Sequence, residues 1–135
     1  MNKKESTDYK IHVGCPASEV SHKFLQGMAD RMAVSFHKYG LVKDGYGPSA
    51  VTKTDAMKSL DQRIKKYHDT GNTEWLMDVA NFAMIEFMEP SHPKAHFRAT
   101  SAKESPGRTL VDGEVTDRSN HHEPQEVNCY RRQGD

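Results

Sequence analysis

Apolar residues recur every fourth position at Val20, Phe24, Met28, Met32 and Phe36, and Leu25, Ala29 and Ala33 widen the stripe. This spacing predicts an amphipathic helix from about Ala17 to Tyr39. Pro16 precedes it, Ser18 is the expected cap, and Gly40 supplies a left-handed stop. A second stripe, Met57, Leu60, Ile64 and Tyr67, predicts a helix from Thr54 or Asp55 to about Asp69, with Thr54 as its cap. Residues 73–88, TEWLMDVANFAMIEFM, are apolar at nearly every position. They predict a third helix, capped by Asn72 or Thr73, ending before Pro90 and buried on most of its sides.

The segments between and around these helices are polar. The stretch GLVKDGYGPSAVTK, residues 40–53, is longer than a tight helical hairpin needs and is expected to be a functional loop. Residues 1–16 form an arm in which Tyr9, Ile11 and Val13 alternate weakly, a candidate short strand. From Ser91 onward large apolar residues thin out, and Glu114 to Asp135 has the composition of a disordered segment. The expected organisation is an arm (1–16), a helical core (17–90) and an irregular tail (91–135). The fold class is all-α, a small antiparallel helical bundle. A core of about 75 residues is marginal alone, so a homo-oligomer is expected to complete the bundle around the third helix.

Composition narrows the function classes. Lysine plus arginine and aspartate plus glutamate number 19 each, so there is no global attraction to nucleic acid or anionic membrane, and neither is an expected partner. No apolar segment follows the charged N-terminus, and the longest apolar stretch is interrupted by Asp78, Asn81 and Glu86. A cytoplasmic protein is expected. The two cysteines, Cys15 and Cys129, form no CxxC; two free thiols are expected, with a single disulfide as the alternative.

The candidate chemistry concentrates on the third helix. At about 100° per residue, Glu74, Asp78 and Asn81 form one narrow polar stripe. Two carboxylates four residues apart share a face and suit a hard divalent cation, while Asn81 is placed to add a carbonyl ligand or to read a substrate. A thin solvent-facing stripe is the competing interpretation. On the second helix Asp61 and Arg63 border opposite edges of the apolar face, and Asp61 is the candidate third carboxylate. Lys38 and Tyr39, beside the glycine-containing loop, are candidates for phosphate and base contact. Arg98, with Lys103 and Arg108, lies in a polar stretch that either folds over a phosphate-bearing ligand or is a solvated loop. Zinc at His92/His96 or at His121-His122 is a minor expectation: Pro93 excludes a helical HxxxH pair.

Lys38-Tyr39-Gly40, Asp55-Ala56 and Asp78-Val79-Ala80-Asn81 follow one another in an order that resembles the MazG-like, all-α nucleoside triphosphate pyrophosphohydrolases. The likeness is closest to a short, often phage-encoded branch that includes dATP/dGTP diphosphohydrolases, and it covers roughly residues 17–90. The resemblance implies Mg²⁺-dependent cleavage between the α and β phosphates of a (deoxy)nucleoside triphosphate. It makes Glu74 and Asp78 metal ligands. From the residues themselves Asp61 is the candidate further metal ligand, and Lys38, Tyr39, Asn81, Arg63 and Arg98 are the candidate nucleotide contacts. Two departures stand out. The family pairs ExxE on one helix with ExxD on the next, whereas this second helix has no ExxE and the third helix spaces its carboxylates as Glu74-xxx-Asp78. The rival reading is a non-catalytic helical protein that sequesters a nucleotide or binds a protein partner.

Overall fold

The computed structural model describes residues 6–116. Four α-helices dominate it: α1 (His22–Tyr39), α2 (Val42–Tyr46), α3 (Ala56–Thr70) and α4 (Glu74–Met88). The all-α expectation holds, and among the described residues no helix is long and apolar enough to cross a membrane.

Local chemistry fixes the helix ends. Residues Ala17–Glu19 make a single 3₁₀ turn after Pro16, and Val20 is extended. Helix α1 therefore starts later than its apolar stripe suggests, and Ser21, not Ser18, caps it by accepting from the Phe24 amide at 3.0 Å. At the far end Gly40 takes φ 88° and its amide donates to the Phe36 carbonyl. The loop holds the short helix α2 and is closed by the Thr54 amide, which donates to the Gly45 carbonyl at 2.8 Å. With Thr54 used in that closure, Asp55 is the cap of α3: its carboxylate accepts from the Lys58 amide at 2.9 Å.

The turn between α3 and α4 is built from three side-chain and backbone devices. Gly71 adopts the left-handed conformation at φ 71° and its amide reaches the Tyr67 carbonyl. Thr70 Oγ1 accepts from the Asn72 amide, and Asn72 Oδ1 accepts from the Glu74 amide at 3.0 Å. Asn72 thus satisfies the first amide of α4, while the Thr73 side chain makes no cap bond. At the other end the Glu86 carboxylate accepts from both the amide and the hydroxyl of Ser91. Glu86 is a C-terminal tether, with no part in the stripe formed by Glu74, Asp78 and Asn81.

Helix α4 packs along α3 and, over a shorter stretch, against α1. At Gly27 the approach of α1 is close: a Cβ there would meet the Sδ and Cε of Met77 at 2.6 Å. Burial is shallow. Ala56 and Ile85 are the buried hydrophobic residues, Asn81 is the buried polar one, and no large side chain is fully buried among the described residues. Trp75, Leu76, Met77, Val79, Phe82 and Met84 are only half-buried in the single chain. The expected all-round burial of α4 is therefore not reached within one copy.

Residues 96–116 belong to a second compact unit. In it, strands β1 (Arg108–Thr109) and β2 (Val115–Thr116) pair antiparallel, with Thr109 opposite Val115. Gly113 at φ 95° and the Asp112 carboxylate, which accepts from the Glu114 amide, shape the connecting turn. This hairpin corrects the expectation that order ends at Glu114. The rest of the stretch expected to be disordered, together with His121-His122 and Cys129, lies outside the described residues. Residues 9–13, a candidate strand in the sequence, join no sheet among the described residues.

Candidate functional site

Helix α1 carries Met28, Arg31, Ser35 and Lys38 at helical spacing on one side, and α4 presents Glu74, Asp78 and Asn81 on one side in the same way. The two sets meet. Arg31 Nε donates to Asp78 Oδ1 at 2.6 Å and its Nη2 to Asp78 Oδ2 at 3.3 Å, a forked pair. A further Arg31 nitrogen donates to the Glu74 carboxylate. The hydrogen bond to Asp78 is the main cause that holds the Arg31 guanidinium above its ordinary pKa; the surrounding carboxylates add to it and burial opposes it. Asp78 is largely enclosed, with 16 % of its side chain exposed, whereas Glu74 is 60 % exposed.

Arg63 reaches the same place from α3. Its Nε lies 3.7 Å from Asp78 Oδ2, beyond hydrogen-bond range, and its guanidinium sits 5.1 Å from the centre of the Phe82 ring. The buried Arg63 Nε has no hydrogen-bond partner.

Asn81 is the most informative residue. It is 6 % exposed, and its Nδ2 donates to the Met28 carbonyl at 3.0 Å. That bond fixes which end of the amide is nitrogen, because a carbonyl accepts only from a donor. Asn81 Oδ1 is therefore the acceptor end, and it is buried without a partner. An unsatisfied buried acceptor costs about 1–3 kcal/mol.

Asn81, Arg31, Arg63, Lys38, Tyr39 and Tyr46 line a cavity of about 390 Å³, within the size range of small-molecule pockets. A neighbouring hollow of about 640 Å³ shares Tyr46, Arg63, Phe82 and Ile85 and extends to Leu41 and Met88. Burial raises the Tyr46 phenol above its ordinary pKa, and the charge of Arg63 pulls in the opposite direction.

The structure thus brings together six of the residues singled out in the sequence: Lys38, Tyr39, Arg63 and Asn81 line the cavity with Asp78, and Glu74 joins Asp78 through Arg31. Two residues do not join them. Asp61 is exposed on α3 and does not line the cavity, because it stands two residues, about 200° of helix rotation, from the inward-facing Arg63. Arg98 belongs to the second unit, where it forks onto Glu104 at 3.0 and 2.7 Å and holds that carboxyl below its usual range. Arg31 and Tyr46 were not anticipated. The sequence carried little signal for Arg31: on an amphipathic helix an arginine beside the apolar stripe is ordinarily solvated, and its partners come from α4.

No group of three or more His, Cys, Asp or Glu that could hold a metal ion occurs among the described residues. What the site offers is two carboxylates on one face of α4 and the unpartnered carbonyl oxygen of Asn81. Both carboxylates are already engaged by Arg31, so Asn81 Oδ1 is the oxygen of this set left without a partner.

Comparison with protein-family models, with curated proteins and with solved structures found no match to this chain.

Proposed function

We propose that this chain is a helical nucleotide-binding protein that takes a (deoxy)nucleoside phosphate into the cleft between α1 and α4. The observation that carries this reading is the orphaned Asn81 Oδ1, a buried acceptor in a cavity that also holds the orphaned donor Arg63 Nε. A ligand that satisfies both presents a donor and an acceptor to the cleft, as the edge of a nucleobase does. Phe82, Tyr39 and Tyr46 supply aromatic surface for the base, and Lys38, Arg31 and Arg63 supply positive charge for phosphates.

Binding without turnover is the reading favoured by the ion pairs, since Arg31 already engages Glu74 and Asp78. Mg²⁺-dependent hydrolysis of a nucleoside triphosphate to monophosphate and pyrophosphate is the second reading. It is favoured by the common face of the two carboxylates, which would hold the ion against the phosphates while the ion activates water. A cytoplasmic, phage-type protein of this kind acts as a homo-oligomer. The shallow core and the exposed Val34, Leu41 and Met88 support that assembly.

Isothermal titration of the full chain with a panel of dNTPs tests the proposal. One site per chain is expected, weakened about tenfold or more in Asn81→Ala. Absence of binding by every nucleotide at millimolar concentration overturns it. Pyrophosphate release that needs Mg²⁺ and is lost in Asp78→Ala would establish the second reading.

A further inference from the structure

The charges at the cleft cancel: Arg31, Lys38 and Arg63 stand against Asp30, Asp78 and Glu74. Most of them are committed to one another. Arg31 is hydrogen-bonded to Asp78 and Glu74, and Arg63 pairs in charge with Asp78 at 3.7 Å while its Nε–H keeps no hydrogen-bond partner. Asp30 accepts from Gln26 Nε2, a neutral donor that leaves the negative charge in place. Lys38 is the remaining cation. Its ammonium lies 5.1 Å from the centre of the Tyr39 ring, and among the described residues no carboxylate pairs with it. It stands seven residues, about 10 Å of helix rise, beyond Arg31, in the last turn of α1. That turn ends in backbone carbonyls and carries a partial negative charge of its own. The cleft therefore has one uncommitted cation, at the opposite end from the nine-tenths buried and unpartnered Asn81 Oδ1.

We infer that the ligand of this cleft is a nucleoside monophosphate, its base edge against Asn81 Oδ1 and Arg63 Nε and its single phosphate at Lys38. The inference rests on the nucleotide reading and narrows it to one phosphate. A phosphate monoester carries a charge of about −2 near neutral pH, and a lysine ammonium offsets much of it through charge-assisted hydrogen bonds. A triphosphate brings further negative charge into a cleft that is already neutral. To offset it, Arg31 or Arg63 must turn away from Asp78, whose side chain is only 16 % exposed. Stripping an enclosed carboxylate of its partners is strongly unfavourable, so the extra phosphates gain nothing from those guanidiniums. The base end of the site is neutral and directional, which suits an uncharged ring edge that offers a donor to Oδ1 and an acceptor to Nε–H.

Calorimetric titration of the full chain in metal-free buffer tests the inference, with the four dNMPs, the matching nucleosides and the matching dNTPs as ligands. At least one dNMP is expected to bind about tenfold or more tightly than its nucleoside and no less tightly than its dNTP. Lys38→Gln, at an exposed position, is expected to lower dNMP affinity about tenfold, to the level of the nucleoside. A dNTP that binds about tenfold or more tightly than its dNMP without metal overturns the inference and leaves the nucleotide reading standing. A dNMP bound no better than its nucleoside overturns it as well. So does a Lys38→Gln chain that keeps its helical circular dichroism and binds the dNMP as wild type does. If no nucleoside or nucleotide binds at millimolar concentration, the nucleotide reading falls and the inference falls with it.

Discussion

Arg31 on α1 and Asp78 on α4 form a forked ion pair, Nε to Oδ1 at 2.6 Å and Nη2 to Oδ2 at 3.3 Å, across 47 residues of chain. This contact joins α1 to α4, the helix that packs along α3 and, over a shorter stretch, against α1. It also decides how the acidic stripe of α4 is used, because one guanidinium engages both carboxylates, the enclosed Asp78 and the exposed Glu74.

The first prediction concerns stability. Removing the largely enclosed Asp78 carboxylate by Asp78→Ala leaves Arg31 without its forked partner and is expected to cost about 1–3 kcal/mol. Glu74→Gln, at an open position, is expected to cost under about 1 kcal/mol. Urea denaturation of the two variants measures the difference, and equal losses would contradict the unequal roles assigned here.

A second prediction follows from Gly27. A Cβ there meets the flexible end of Met77, which can move aside, and alanine is a better helix former than glycine. Gly27→Ala is therefore expected to change stability by less than about 1 kcal/mol, whereas Gly27→Leu overpacks the α1–α4 contact and costs about 1–3 kcal/mol. Thermal melts of both variants check this ordering.

Tyr46 gives a pH prediction. Burial raises its folded-state pKa, so the neutral phenol is favoured in the folded chain. Its contribution is fully present below the unfolded tyrosine pKa and is lost as pH rises through the raised folded value, that is, above about pH 10. In an absorbance titration Tyr46 should contribute a late-ionising component, which Tyr46→Phe should remove.

Glu104 behaves with the opposite sign. The Arg98 hydrogen bond lowers its folded-state pKa, so the second unit should keep this contribution above the ordinary carboxylate range and lose it as pH falls through the lowered value. The carboxyl ¹³C shift of Glu104 should titrate below that of an exposed glutamate, and Arg98→Gln should return it to the ordinary range.

Periodicity and turn chemistry carried much of the fold. The apolar stripes placed all three long helices, and Gly40, Gly71 and Pro90 placed their ends, because each acts through local backbone geometry. Local competition displaced what the stripes alone did not determine. The 3₁₀ turn after Pro16 took Ser18 out of the cap of α1, and the Thr54–Gly45 bond took Thr54 out of the cap of α3. Within the site, helical spacing found the shared face of Glu74, Asp78 and Asn81. It missed Arg31, whose meaning depends on which helix α1 meets, and it misplaced Asp61, whose neighbour Arg63 faces the cleft instead. Tertiary partners of this kind leave no periodic trace.

The account stands most directly on Asn81. Its side-chain amide can be observed in ¹⁵N-labelled protein while a dNTP is titrated in. A ligand that satisfies Oδ1 is expected to shift the Asn81 Nδ2 protons and the Arg63 Nε–H together and saturably, with the exposed Asp61 region unchanged. Nucleotide-induced shifts that leave Asn81 and Arg63 in place, or no shifts at saturating nucleotide, would contradict the assignment of this cleft as the nucleotide site.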